Sequence, residues 1–259
     1  MTEHYFLQED IQHAWQGLDP FTAAGTVKGI VHRELEQRRT TEFQVNDRNY
    51  FVKYHRGTTW KEIIKNLLQL RLPVISAANE KRAIEALAKI DIRTPIIAGY
   101  GRRGVVPTSV ESFIITEDIG TQMNLEILAG QWQQNPPRFF IKRKIIEKVA
   151  AIASRMHESG VCHRDFYICH LIVLDLEKAN IAVLDLHRAL VKASLNQRWV
   201  IKDVGSLYFS AMDFLENKKE IYRFMKRYSG KSLRQTLSED KVFWDKVKNR
   251  AMALKNRNS

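Results

Sequence analysis

Two cysteines in 259 residues are too few for a disulfide framework. They stand at Cys162 and Cys169, on either side of one short loop. Each is followed by a histidine, but the spacing is neither C-x2-C nor H-x3-H, so zinc is set aside. Both are expected to be small buried hydrophobes. Long apolar runs are also missing: Lys and Arg interrupt every stretch before it reaches the roughly 20 residues of a membrane span. Residues 1–10 are polar and acidic, without the apolar core of a secretory signal. A cytoplasmic protein is expected, with peripheral contact from the inner face of a membrane. No internal repeat or low-complexity run interrupts the chain. Acids are scarce, 29 against 41 Lys plus Arg, for a formal charge of +12. That excess suits anionic partners: nucleic acid, phospholipid surfaces, phosphorylated glycans or acidic proteins. A solvated basic surface would look the same. With 44% hydrophobic residues, the chain can bury one large core or two lobes around a cleft.

The most informative stretch is His163-Arg164-Asp165-Phe166-Tyr167-Ile168-Cys169-His170, followed by Ile181-Ala182-Val183-Leu184-Asp185-Leu186-His187. The general kinase pattern is H-R-D-L-x-x-x-N, then an apolar strand ending in D-F-G. Here Phe166 takes the Leu place, His170 the Asn place, and D-L-H the place of D-F-G. Two acids so spaced suit phosphoryl transfer. One carboxylate, Asp165, orients a hydroxyl and accepts its proton; the other, Asp185, holds the magnesium that bridges nucleotide phosphates. Residues 171–174 and 181–184 read as two strands of a hairpin that turns near Glu177-Lys178-Ala179-Asn180. A helix over 144–159 precedes the loop.

Residues 1–25 read as an N-terminal leader with aromatic anchors Tyr5, Phe6, Trp15 and Phe21 and a turn at Leu18-Asp19-Pro20. Strands are predicted over 27–35, 40–45 and 50–54, with polar turns at 36–39 and 46–49. Lys53 is flanked by apolar residues in the third strand, as a phosphate-binding lysine would be; an edge lysine facing water is the alternative. A helical pattern over 60–70 ends at Pro73. A second helix, 76–90, places Glu80 on its apolar face with Ile84 and Leu87, so Glu80 is the expected partner of Lys53. Residues 113–120 read as a strand and a hinge, with Glu117 at the nucleotide or merely in a polar turn. Helices are predicted over 199–215, 219–228 and 241–255. The whole reads as α+β: a bilobal protein-kinase-like fold with a leader (1–25), a β-rich N-lobe (26–118) and a larger helical C-lobe (119–259).

Several strings are more specific: R-E-L-E-Q-R-R-T from Arg33, Tyr50-Phe51-Val52-Lys53, K-N-L-L-Q-L-R-L-P-V from Lys65, Ala78-Asn79-Glu80, and H-R-D-F-Y-I-C-H with D-L-H-R. Over residues 31–214 the chain resembles the lipopolysaccharide core heptose(I) kinase family. The resemblance implies transfer of phosphate from ATP to the 4-hydroxyl of the first inner-core heptose, with Mg2+. It implies Asp165 as base, Asp185 as metal ligand with His170 beside it, and Lys53 on the nucleotide phosphates with Glu80 orienting it. His163 would brace the loop.

The loop at 36–39 lies where kinases place a Gly-rich phosphate loop, yet has no Gly; Arg38 or Arg39 would supply charge there, or the turn is simply solvated. No A-P-E motif follows Arg188, which favours a glycan acceptor over a peptide. Asp203 would support the catalytic loop or be an ordinary helix acid. The expected partner is the lipopolysaccharide inner core; the +12 charge also admits an acidic protein such as acyl carrier protein, and nucleic acid is not expected. Two alternatives stay open: a kinase for another small-molecule or protein acceptor, and a non-catalytic nucleotide- or glycan-binding scaffold.

Overall fold

The computed structural model describes residues 3–35, 37–57, 76–106, 108–121 and 123–258. The predicted helix over 60–70, Pro73 and Glu36 lie outside them. The chain divides into two compact units, residues 1–84 with 95–120, and residues 85–94 with 121–259.

The first unit is built on one six-stranded sheet: β1 (Glu3–Leu7), β2 (Ile30–Leu35), β3 (Arg38–Val45), β4 (Arg48–Arg56), β5 (Ile97–Arg103) and β6 (Glu111–Glu117), in spatial order β1-β5-β6-β4-β3-β2. Asn46 and Asp47 take φ of 47° and 62°, so a two-residue turn of the primed kind joins β3 to β4. Alternation along β4 buries Tyr50, Val52 and Tyr54. They pack with Ile11 and Trp15 from α1 (Glu9–Ala14) and its end, and with Phe21 of α2 (Pro20–Thr26). Phe21 meets Phe113 edge-on at 5.2 Å, and Trp15 stacks on Phe43 at 5.9 Å.

Residues 3–26 therefore belong to the sheet unit, where the sequence reads as a leader. β1 is hydrogen-bonded along β5 from Glu3–Arg103 to Leu7–Gly99. Of the four expected aromatic anchors, Trp15 and Phe21 are buried, whereas Tyr5 and Phe6 lie exposed on the edge strand. The third helix, α3 (Ala78–Ala88), starts with the Ala77 amide on the Ser112 hydroxyl of β6.

The second unit is helical: α4 (Leu125–Gln134), α5 (Phe139–Glu158), α6 (Gln197–Ala211), α7 (Lys218–Ser229), α8 (Leu233–Glu239) and α9 (Lys241–Asn258). Asparagines 124, 196 and 217 cap α4, α6 and α7 with their side-chain oxygens. The 20 residues of α5 bury Ile141, Ile145, Val149, Ile152 and Met156, a stripe at helical spacing. Helices α4 to α9 surround a largely apolar cavity of about 990 Å³, with Trp132, Ile145, Leu207, Met225 and Trp244 among its walls. Two small antiparallel pairs complete the unit: β7 (Val161–Cys162) with β10 (Leu190–Val191), and β8 (Leu171–Asp175) with β9 (Asn180–Val183).

Between α5 and β7 the chain turns at Gly160, whose φ is +80°. An added Cβ there would sit 1.8 Å from the Lys192 carbonyl oxygen. That carbonyl cannot retreat cheaply, because the Lys192 amide is itself bonded to Gly160. Gly160→Ala is expected to lower stability by at least about 1–3 kcal/mol, the usual cost of a strained backbone position. A thermal melt matching the wild type would contradict this.

Candidate active site

Each unit carries some of the site residues expected from sequence. In the first, Lys53 lies on a central strand, opposite Thr40 of β3 and Ile114 of β6. The pleat turns it away from the Tyr50–Val52–Tyr54 face. Its ammonium donates to Glu80 Oε1 at 2.6 Å. Glu80 is only 4% exposed, and its other oxygen has no hydrogen-bond partner among the described residues. A buried carboxylate is retained at such a place only when paired. The expected Lys53–Glu80 pair is thus present in the structure, and Ile84 follows Glu80 on the buried face.

Arg38 opens β3 opposite Leu35 and His55, in a strand where a loop is expected. Arg39 instead donates to the Gly25 carbonyl at 3.0 Å. Glu117 ends β6, and its amide is committed to the Ile96 carbonyl; the Asp118 amide bonds Asn49. Neither amide is free to donate to a base, which weakens the expected hinge role of Glu117.

In the second unit the catalytic loop hangs from one buried carboxylate. Asp203 of α6 accepts the His163 amide at 2.6 Å, the Arg164 amide at 2.8 Å and His157 Nε2 at 3.3 Å. It is wholly buried. Burial alone would raise its pKa, but the His157 hydrogen bond and the charges of His157 and His163 outweigh that and hold it below the ordinary carboxylate value. Arg164 sits at φ +72°, a left-handed position that a non-glycine residue adopts only when its surroundings enforce it. The two amides on Asp203 supply that enforcement. Phe166, fully buried, packs against the His163 ring at 5.6 Å and so performs the anchoring expected of a Leu. His163 donates from Nε2 to the Leu184 carbonyl at 2.8 Å, and burial pushes its pKa down, so the ring is a neutral brace.

Asp165 and Asp185 stand at the same end of the β8–β9 hairpin. The His170 amide is bonded to Tyr167, its carbonyl accepts the Leu184 amide, and its Nδ1–H donates to the Asp165 carbonyl at 2.7 Å. That leaves Nε2 directed at Asp185 Oδ2, 3.7 Å away and beyond hydrogen-bond range. His170 also stacks on His163 at 5.5 Å. Burial disfavours its charge, but hydrogen bonds with the Cys169 side chain and the Asp165 carbonyl push its pKa up to about 9. Asp185 lies at φ 58°, again left-handed, and His187 occupies its Oδ1. Arg188 donates to both oxygens of Asp165. Three partners were missed from sequence: His157, His187 and Arg188. Only the D-L-H-R string signalled the last two.

Both cysteines are free thiols, and burial pushes Cys162 far up, so it is chemically quiet. Among the described residues, no three His, Cys, Asp or Glu side chains cluster as a metal cage. Asp185, bonded to His187 through Oδ1, and His170 Nε2 face each other. A cation there could take phosphate oxygens and water as its other ligands. His170, with its pKa at about 9, could join them only on losing its proton, and imidazole is an unusual partner for magnesium.

The H-R-D loop with a second acid after the hairpin, and separately a strand lysine paired with a buried glutamate, are the parts expected of a phosphotransferase of protein-kinase-like fold. Residues 23–228 match the lipopolysaccharide kinase (Kdo/WaaP) family. The chain belongs to that family. It is 41% identical over 257 residues to the lipopolysaccharide core heptose(I) kinase WaaP of Escherichia coli K12, covering 97% of each chain. It is 40% identical to the protein of the same name from Pseudomonas aeruginosa, over 90% of this chain and 89% of that one. A solved structure of WaaP in complex with acyl carrier protein superposes with a TM-score of 0.83 at 34% identity, covering 97% of this chain and 99% of that one.

The Asp203 anchor generates a pH signature. Because its folded pKa lies below the ordinary 3.8, its stabilisation is complete above that value and is lost as pH falls through the folded one. Asp203→Asn should be less stable at pH 7 by about 1–3 kcal/mol, the cost of imperfectly satisfied buried donors. Its melting temperature should also fall less steeply in acid than that of the wild type. Parallel acid curves for the two proteins would refute the assignment.

Proposed function

We propose that this chain transfers the γ-phosphoryl group of ATP to heptose I of the lipopolysaccharide inner core, at the 4-hydroxyl. The acceptor sugar is carried over from the relatives named above; the 4-hydroxyl rests on the family resemblance of the sequence alone. The observation that carries the chemistry is the convergence of Asp165, Asp185 and His170 at one end of the β8–β9 hairpin. Asp165 orients the acceptor hydroxyl and takes its proton. Lys53, held by Glu80, binds the nucleotide phosphates, and Arg38 adds charge on the same unit. Asp185 would hold Mg2+, with His170 joining it on loss of its proton, and the metal would supply charge neutralisation at the phosphates. Since the Glu117 amide is already engaged, any contact of that residue with adenine falls to its other atoms.

Two partner readings accompany the enzyme. A carrier-protein partner is supported by the solved relative and by the excess of positive charge. The apolar cavity of the second unit has the size and lining to take up an apolar chain. Peripheral membrane contact is supported by a concave basin of about 610 Å³ that includes Lys144, Lys148, Arg155, Arg223, Lys226 and Arg227, with Glu147 its one acid. No described helix is long and apolar enough to cross a membrane.

Labelled ATP and lipopolysaccharide lacking inner-core phosphate test the activity. Asp165→Ala and Asp185→Ala should each lower transfer at least about 10²–10⁴-fold, the span attributed to a positioned base, while melting like wild type. Substantial turnover in either variant would sink the roles; no transfer by a wild type that binds ATP would point to another acceptor. For the partners, a carrier protein bearing an acyl chain should co-elute with the kinase on sizing, whereas the chain-free carrier should not. Anionic vesicles should retain the kinase at low salt and release it at high salt. Indifference to the acyl chain would refute the cavity reading, and indifference to vesicles the membrane one.

A further inference from the structure

Arg188 ends the short turn that starts at Asp185, and its side chain returns to Asp165. One terminal nitrogen donates to both carboxylate oxygens, at 2.8 and 2.9 Å. The turn is held from behind: the Arg188 carbonyl accepts Arg164 at 3.3 Å, and the Arg164 guanidinium lies over the Trp199 ring at 5.4 Å. The ion pair is a poor stability device. Its side chains are 35% and 20% exposed, and pairs that open contribute little to folding.

The guanidinium has a second purpose available. Of its five N–H donors, the two on one terminal nitrogen are used on Asp165. The Nε and the other terminal nitrogen have no partner among the described residues. That edge is a planar fork suited to phosphate oxygens. An acceptor hydroxyl bound to Asp165 is the attacking atom, so the group in transfer lies next to it. A cation in contact with both Asp165 oxygens is within reach of that group.

We propose that Arg188 is a catalytic residue: its free edge contacts the phosphoryl group in transit while its other edge orients Asp165. The acceptor oxygen forms its bond to the γ-phosphorus. The bond from that phosphorus to the β,γ-bridging oxygen breaks, and the electron pair leaves with ADP. The hydroxyl proton passes to Asp165, and Arg188 keeps its charge throughout, matching the negative charge spread over the equatorial oxygens. This inference rests on the reading of Asp165 as the base.

The test pairs kinetics with a mimic of the group in transit, aluminium fluoride bound with magnesium and ADP. Arg188→Ala should lower kcat about 10³-fold, the order by which an arginine on a transferring phosphoryl group acts, with little change in either KM. It should bind ADP like wild type yet lose the extra affinity that aluminium fluoride confers. Arg188→Lys should regain part of kcat, since it keeps the charge but not the fork; it also serves if the alanine variant folds poorly. Undiminished aluminium fluoride affinity in Arg188→Ala, or ADP affinity lost in step with kcat, would overturn the proposal. Asp165→Asn separates the two readings. If it still turns over, the base assignment fails. If it is inactive while Arg188→Ala keeps wild-type kcat, only the Arg188 inference fails.

Discussion

The buried carboxylate of Asp203 is the constraint on which the catalytic half of the second unit depends. It gathers two successive backbone amides, from His163 and Arg164, and the ring of His157. Few interactions fix a loop so economically: the amides would otherwise be buried without acceptors, and Arg164 could not hold its left-handed backbone. Everything downstream inherits that placement. Phe166 enters the core, His163 reaches the Leu184 carbonyl just ahead of Asp185, and His170 ties the loop to the hairpin. The backbone at Asp165 and Asp185 is thus set by these bonds, and Arg188 and His187 then hold the two carboxylates.

The first unit solves a different problem by different means. A lysine must stand on a central strand without an energetic penalty, and a buried glutamate on α3 provides its partner. The pleat of β4 makes the two faces independent. Tyr50, Val52 and Tyr54 can be spent on the aromatic cluster with Trp15, Phe21 and Phe43, while Lys53 stays on the opposite side.

What could be read from sequence was what depends on local period and motif. Lys53 follows from an apolar strand and Glu80 from the helical phase of Ile84 and Leu87. The H-R-D and D-L-H strings locate the loop, and the polar run 46–49 marks the hairpin turn that the structure narrows to 46–47. What escaped depends on tertiary contacts. β1 is a five-residue edge strand whose exposed Tyr5 and Phe6 look like detached anchors until β5 is seen beside them. β5 itself is obscured by Gly99 and Gly101; the second lacks a Cβ because Phe113 occupies that space. His157 and Arg188 reach their carboxylates across turns and helices that no spacing rule encodes. The loop-supporting role that sequence offered for Asp203 is seen in its bonds to the His163 and Arg164 amides; its complete burial and its bond to His157 were not legible.

The span from His163 to Arg188 is only 26 residues long, and one side chain of α6 anchors its opening turn. Such an arrangement is modular. Asp165, His170, Asp185 and Arg188 all lie within that one segment, so the residues of α7 to α9 that line the cavity and the basic basin can drift in sequence without touching them. A scaffold of this kind can change what it recognises while conserving how it reacts.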